Sequence, residues 1–298
     1  AGSVVEDNTV TNSVITSDQT ADYCEEGKLA NVGKVAGRTD TEVDLTSNTA
    51  GDDVLVYTKT KSLILASGTY VFENKIVEAA EGSAITLEAG AEVTLEVKGE
   101  VTLTGAAGGN GIYVPSDATL KIIGDGNLTV IGNGGVDDAN GGSGIAGSVT
   151  IDGLSSLTAE GWGKNGYGIG SADATVIIKN TKNVVAQGGY VQPSFVQDTS
   201  YGKKEPEGAP AIGGEKITLT NTVVTEAHGG SKAAAIGARY HGSTEVNIDG
   251  CTITVYGGNA SAGIGGSRVT KHSDQTIAIN IANSAITATG GEFGSGIG

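Results

Sequence analysis

The sequence predicts an all-β protein: a single-stranded, right-handed parallel β-helix (a solenoid) with about 24 residues per coil and loop insertions. Three observations lead there. Glycine supplies 49 of the 298 residues, more than twice its usual share of roughly 7%. A short block built on glycine or alanine around an isoleucine recurs along the chain. Between the blocks, apolar residues alternate with polar ones in runs too short to fold as separate units. Right-handedness is expected because strand–crossover–parallel-strand connections overwhelmingly take that hand.

The composition excludes several alternatives. Collagen needs glycine at every third position with abundant proline, and only 4 prolines are present. A disordered chain is poor in apolar residues, whereas 38% of this one is apolar. A helical bundle does not tolerate so much glycine. The formal charge of −16 makes nucleic acid a poor partner, since phosphate neutralisation needs Lys and Arg. No run approaches the length of apolar sequence that a transmembrane helix requires.

The repeat block reads Gly111-Ile112, Gly144-Ile145-Ala146, Gly168-Ile169-Gly170, Ala211-Ile212-Gly213, Ala235-Ile236-Gly237, Gly263-Ile264-Gly265 and Gly296-Ile297-Gly298. Its isoleucines are spaced 33, 24, 43, 24, 28 and 33 residues apart, so 24 is the minimal unit and the rest carry insertions. After each block comes a strand-like run such as Val149-Thr150-Ile151 or Val176-Ile177-Ile178. Then stands a residue that enters left-handed backbone cheaply: Gly153, Asn180, Asn221, Gly250 or Asn283. A second run follows and ends in a glycine pair: Gly188-Gly189, Gly229-Gly230, Gly257-Gly258 or Gly290-Gly291. Three short strands and three corners make one coil. Counting back from the glycine pairs predicts two inward columns: Val130, Ala159, Ala186, Ala227, Val255, Ala288, and Leu128, Leu157, Val184, Thr225, Ile253, Ile286. The repeated isoleucines form a third. Outward columns then hold Thr129, Thr158, Val185, Glu226, Thr254, Thr287 and Ile131, Glu160, Gln187, His228, Tyr256, Thr289.

Coils begin near residue 54, less regularly at first, and the solenoid is expected over residues 54–298. Residues 1–53 carry 11 acidic and 3 basic side chains without a repeat, which suits an acidic N-terminal cap or arm. The chain stops within a repeat, so the solenoid is expected to be truncated at its C-terminal end, with further domains in a longer parent chain. Without an initiator Met, the start at Ala1 fits signal-peptide removal or an arbitrary boundary. Two cysteines, Cys24 and Cys251, do not make a disulfide framework, and the apolar alternation around Cys251 predicts a buried free thiol.

The run Gly111-Ile112-Tyr113-Val114-Pro115, Ala118-Thr119-Leu120-Lys121-Ile122 and Gly124-Asp125-Gly126-Asn127-Leu128-Thr129-Val130 leads directly into the repeats. It resembles the glycine-rich β-helix repeats of large surface proteins of Gram-positive gut bacteria, labelled carbohydrate-binding or adhesin-like. The resemblance covers roughly residues 60–298. It implies export, a bacterial cell-surface location and a non-catalytic binding or adhesion role, with a glycan or host glycoprotein as partner.

Candidate ligand-binding residues gather where the chain runs against its own acidity. All three histidines, His228, His241 and His272, lie in residues 228–272, with Lys232, Arg239, Arg268 and Lys271; only Glu245 and Asp249 oppose them. The insertions Arg239-Tyr240-His241 and Arg268-Val269-Thr270-Lys271-His272 follow equivalent blocks in consecutive coils, so both are expected on one side, beside Tyr256. Stacked cations with an aromatic suit an acidic sugar. The longest insertion, Val191 to Pro210, offers Phe195, Tyr201, Lys203 and Lys204 as loop contacts. Trp162, on a glycine corner, offers a sugar platform or a group packed under a loop.

No catalytic residue, metal or cofactor is expected. Asp137-Asp138-Ala139-Asn140-Gly141 bears a faint likeness to a calcium loop but lacks the spacing. Three rival readings remain. One is a host-protein binder, for mucin or immunoglobulin. Another is a polysaccharide lyase-like enzyme on acidic glycans, since its basic residues are present while a calcium cage is not obvious. The last is a structural stalk.

Overall fold

A computed structural model describes the strands Val14–Ser17 and Leu55–Thr60 together with residues 62–135, 141–189, 207–239, 242–267 and 276–298. Regular structure among these residues is entirely β-strand, and the strands pair in parallel. The acidic segment 1–53 lies outside the described residues except for Val14–Ser17, which pairs with Leu55–Thr60. No helix among them is long and apolar enough to cross a membrane.

Successive units add one strand to each of three ladders. The shortest ladder is the repeated isoleucine block: Ile112, Ile145, Ile169, Ile212, Ile236 and Ile264 stand in register, each fully buried. A second ladder aligns Leu120, Val149, Val176, Ile217 and Val246. A third aligns Leu128, Leu157 and Val184. The second and third ladders join at the long strands Gly68–Ala79 and Glu92–Thr104, which run through both. There the chain bends without breaking, at Asn74 (φ 47°) and Gly99 (φ 59°). The Asn74 carboxamide oxygen accepts the Glu100 N–H at 3.0 Å. Inward side chains of all three ladders belong to one buried cluster, as expected for a β-solenoid. The alternation in the sequence becomes burial because successive strand residues face opposite sides.

The predicted left-handed corners are present. Asn180, Asn221 and Asn283 have φ of 50°, 47° and 50°, and Gly153 and Gly250 have 91° and 66°. Asparagine adds a bond across coils that glycine lacks: Asn180 Nδ2 donates to Asp152 Oδ1 at 2.8 Å and Asn283 Nδ2 to Asp249 Oδ1 at 2.9 Å. After Gly153 comes the buried Leu154; after the other four corners the next residue donates to the carbonyl two residues back. Thr181, Thr222 and Ser284 do so through hydroxyls, and Cys251 through its thiol, 3.3 Å from the Asp249 oxygen. Cys251 is therefore a threonine equivalent. It is free and buried, and burial raises its pKa. In a Cys24→Ser background, a thiol-reactive dye is expected to label native protein far more slowly than denatured protein. Cys251→Thr is expected to change stability by less than about 1 kcal/mol. Rapid native labelling contradicts this placement.

One column departs from the sequence count. Thr225 does not face inward. Val184 pairs with Val224, but Val185 pairs with Glu226, leaving Thr225 as a bulged extra residue. Val224, 1% exposed, fills the core position, and the Thr225 hydroxyl bonds the Asn183 carboxamide outside. The physical reason is an extra residue in this coil. From corner to inward residue, Asn221 to Val224 matches the short approach of Gly250 to Ile253, yet the strand retains the length of earlier coils. The surplus is expelled as a β-bulge.

Candidate functional site

The bulge lies in the strand Val223–His228, and beyond it Glu226 and His228 both stand outward. Glu226 stands outward opposite Val185, and His228 outward opposite Gln187. His228 Nε2 lies 2.6 Å from Glu226 Oε1. On the next coil Tyr256 pairs with His228, and the rings stack with centroids 4.8 Å apart and planes 12° from parallel. That separation is the spacing between paired strands, so the ladder itself sets the stack. All three side chains are substantially exposed. Upstream, Ser156, Asn183 and Thr225 are linked by side-chain hydrogen bonds over consecutive coils. The outward face is thus an ordered row of hydroxyl, amide and ring groups. Such a row donates and accepts hydrogen bonds and offers aromatic surface, the needs of a saccharide or a protein loop.

A second polar group forms where the glycine-pair corners stack. Arg239 follows Ile236 of the short ladder, and Ala233 and Arg239 form an antiparallel bridge. Its Nη1 donates to Asn165 Oδ1 at 2.9 Å, 74 residues back along the chain. Lys164 pairs with Glu207 at 3.1 Å. The hydrogen bond and charge of Lys164, aided by the charges of Lys232 and Arg239, hold the Glu207 carboxyl below its ordinary range against the opposing effect of burial. Tyr167, on the same corner, is pushed up to about 12 by burial, with Arg239 opposing.

Of the predicted ligand-binding residues, the structure brings His228 and Tyr256 together and sets Arg239 against Asn165. Tyr240, His241, Arg268, Lys271 and His272 lie outside the described residues, as do the loop residues Phe195, Tyr201, Lys203 and Lys204 and the calcium-like Asp137 and Asp138. Trp162 is half-buried. Sequence reading placed Glu226 outward without giving it a role, and it passed over Lys164, Asn165, Tyr167 and Glu207. The signal for Glu226 was available: a Thr in an otherwise apolar column, with Val beside it, marks a register slip. For the corner residues no comparable local signal exists, because their partners lie one or more coils away.

The arrangement defines a class, an all-β protein of stacked parallel strands. Comparison with family models, curated proteins and solved structures finds no match for the chain.

Proposed function

We propose that the chain is a non-catalytic binding or adhesion module of a secreted bacterial surface protein, built on a right-handed parallel β-helix and recognising carbohydrate or a host glycoprotein. The observation that carries this reading is the bulge-built row of Glu226, His228 and Tyr256, a stacked aromatic pair held outward on a rigid ladder. Bulges re-aim side chains and recur beside functional sites, and loops or rows on a fixed scaffold are where binding concentrates. Three parallel ladders around one core support the solenoid, and the usual hand of parallel connections supports the right-handed form.

A glycan array tests the reading. Wild-type protein is expected to retain a defined set of glycans, and His228→Ala/Tyr256→Ala to lose about tenfold or more in affinity, or 1.4 kcal/mol. Both side chains are exposed, so the double variant should melt as the wild type does. Full glycan binding by the double variant removes this row as the site; no glycan retained by the wild type removes carbohydrate as the ligand.

A further inference from the structure

We infer that the corner formed by Lys164, Asn165, Glu207, Lys232 and Arg239 is a separate binding site for the carboxylate or sulfate group of an acidic saccharide. Backbone bonds between coils assemble it. The Gly189 N–H donates to the Gly166 oxygen and the Gly208 N–H to the Ser231 oxygen, each at 2.6 Å. These set Glu207 between the loop of Lys164 and Asn165 on one coil and that of Lys232 on another. The Ala233–Arg239 bridge turns Arg239 back toward them, and its bond to Asn165 fixes the guanidinium across the corner.

Lys164 pairs with Glu207, and the charges of Lys232 and Arg239 also bear on that carboxylate, on a chain whose formal charge is −16. Glu207 is the oxyanion that the chain itself supplies, and a ligand oxyanion competes for the same field by charge-assisted hydrogen bonds. Tyr167 is the independent sign. It is 4% exposed, and its hydroxyl makes no hydrogen bond of acceptable geometry although Arg239 lies near. Buried hydroxyls are nearly always partnered; this one lies in the field of Arg239 and Asp173, where an oxyanion reaching Arg239 would also meet its O–H. Like any tyrosine hydroxyl it is a donor at neutral pH, and burial moves its titration further above neutral. Trp162 stands two residues before Lys164, with its ring beside Gly134 of the preceding repeat. The site shares no residue with the His228–Tyr256 row and stands or falls without it.

Binding is read by calorimetry, with the fluorescence of Trp162, the sole tryptophan, as a second signal. Tetragalacturonate (carboxylate), a chondroitin sulfate tetrasaccharide (carboxylate and sulfate) and neutral cellotetraose are titrated into the whole chain. A saturable change with either acidic sugar is expected, weakening as salt rises, with none from cellotetraose; a response to the sulfated sugar alone assigns the site to sulfate. Arg239→Ala should raise Kd about tenfold or more, and Glu207→Gln should lower it by removing the internal competitor. Tyr167→Phe should melt no lower than wild type, since it deletes an unpartnered hydroxyl, yet bind more weakly. His228→Ala/Tyr256→Ala should leave this titration unchanged, separating the two sites. The proposal is overturned if neither acidic sugar binds, if cellotetraose binds equally well, or if both Arg239→Ala and Glu207→Gln leave Kd unaltered.

Discussion

Gly258→Ala is expected to disrupt the C-terminal coils at a cost of about 3 kcal/mol or more, the upper range for a forced steric clash. A Cβ at that position falls 1.7 Å from the Gly230 carbonyl oxygen and 2.6 Å from its carbon. Both are backbone atoms of the preceding coil, so no side chain is free to swing aside. Retreat of the chain would strain the bonds from Gly257 N–H to Thr289 and from Gly258 N–H to Ala233, at 2.8 and 3.1 Å. An added Cβ would meet the same obstacle elsewhere in the stack, the Gly258 oxygen at Gly291 and the Gly189 oxygen at Gly230. None of these glycines has a left-handed φ, so the demand is for close approach between coils. Gly134→Ala is the control. Its Cβ would meet Trp162 at an ordinary 3.7 Å, and stability should hold within about 1 kcal/mol. Because each coil contacts chiefly its neighbours, hydrogen exchange should show lost protection after residue 230 and retained protection in earlier coils. Coincident melting curves for Gly258→Ala and wild type would exclude this account.

The second large effect belongs to the isoleucine ladder. Ile212→Ala is expected to cost about 2–5 kcal/mol, the range for emptying a well-packed core site. Ile212 is fully buried between Ile169 and Ile236, and neighbours fixed by ladder hydrogen bonds cannot close the space. Ile297 occupies the same repeat position, bridging to Ile264, but is 46% exposed. Ile297→Ala should therefore cost less than about 1 kcal/mol, since much of its surface already meets water. Denaturant titration of both variants measures the contrast. Equal losses would mean that the ladder does not share one core.

Much of this architecture was legible before any coordinates. The isoleucine register, the left-handed corners at Asn180 and Asn221, and the inward stack of Leu157 and Val184 all appear where the repeats place them. Counting failed at Thr225 because two valid rulers disagree there. Measured back from the glycine pair, Thr225 faces the core; measured forward from Asn221, Val224 does. Packing settled the conflict, since a buried hydroxyl has no partner in that column and a valine needs none. The bulge that resulted kept Glu226 and His228 on the outward face, in register with Val185 and Gln187.

The sequence by itself determined the coil. Period-two alternation, a left-handed corner and a glycine wherever coils touch are local demands, and each turn of the repeat states them again. Tertiary structure alone decided which groups meet across coils. Arg239 reaches Asn165 over 74 residues, and Lys164 finds Glu207 beyond an insertion. Those meetings depend on insertion lengths and on the reach of long side chains between neighbouring corners, quantities that no local pattern encodes.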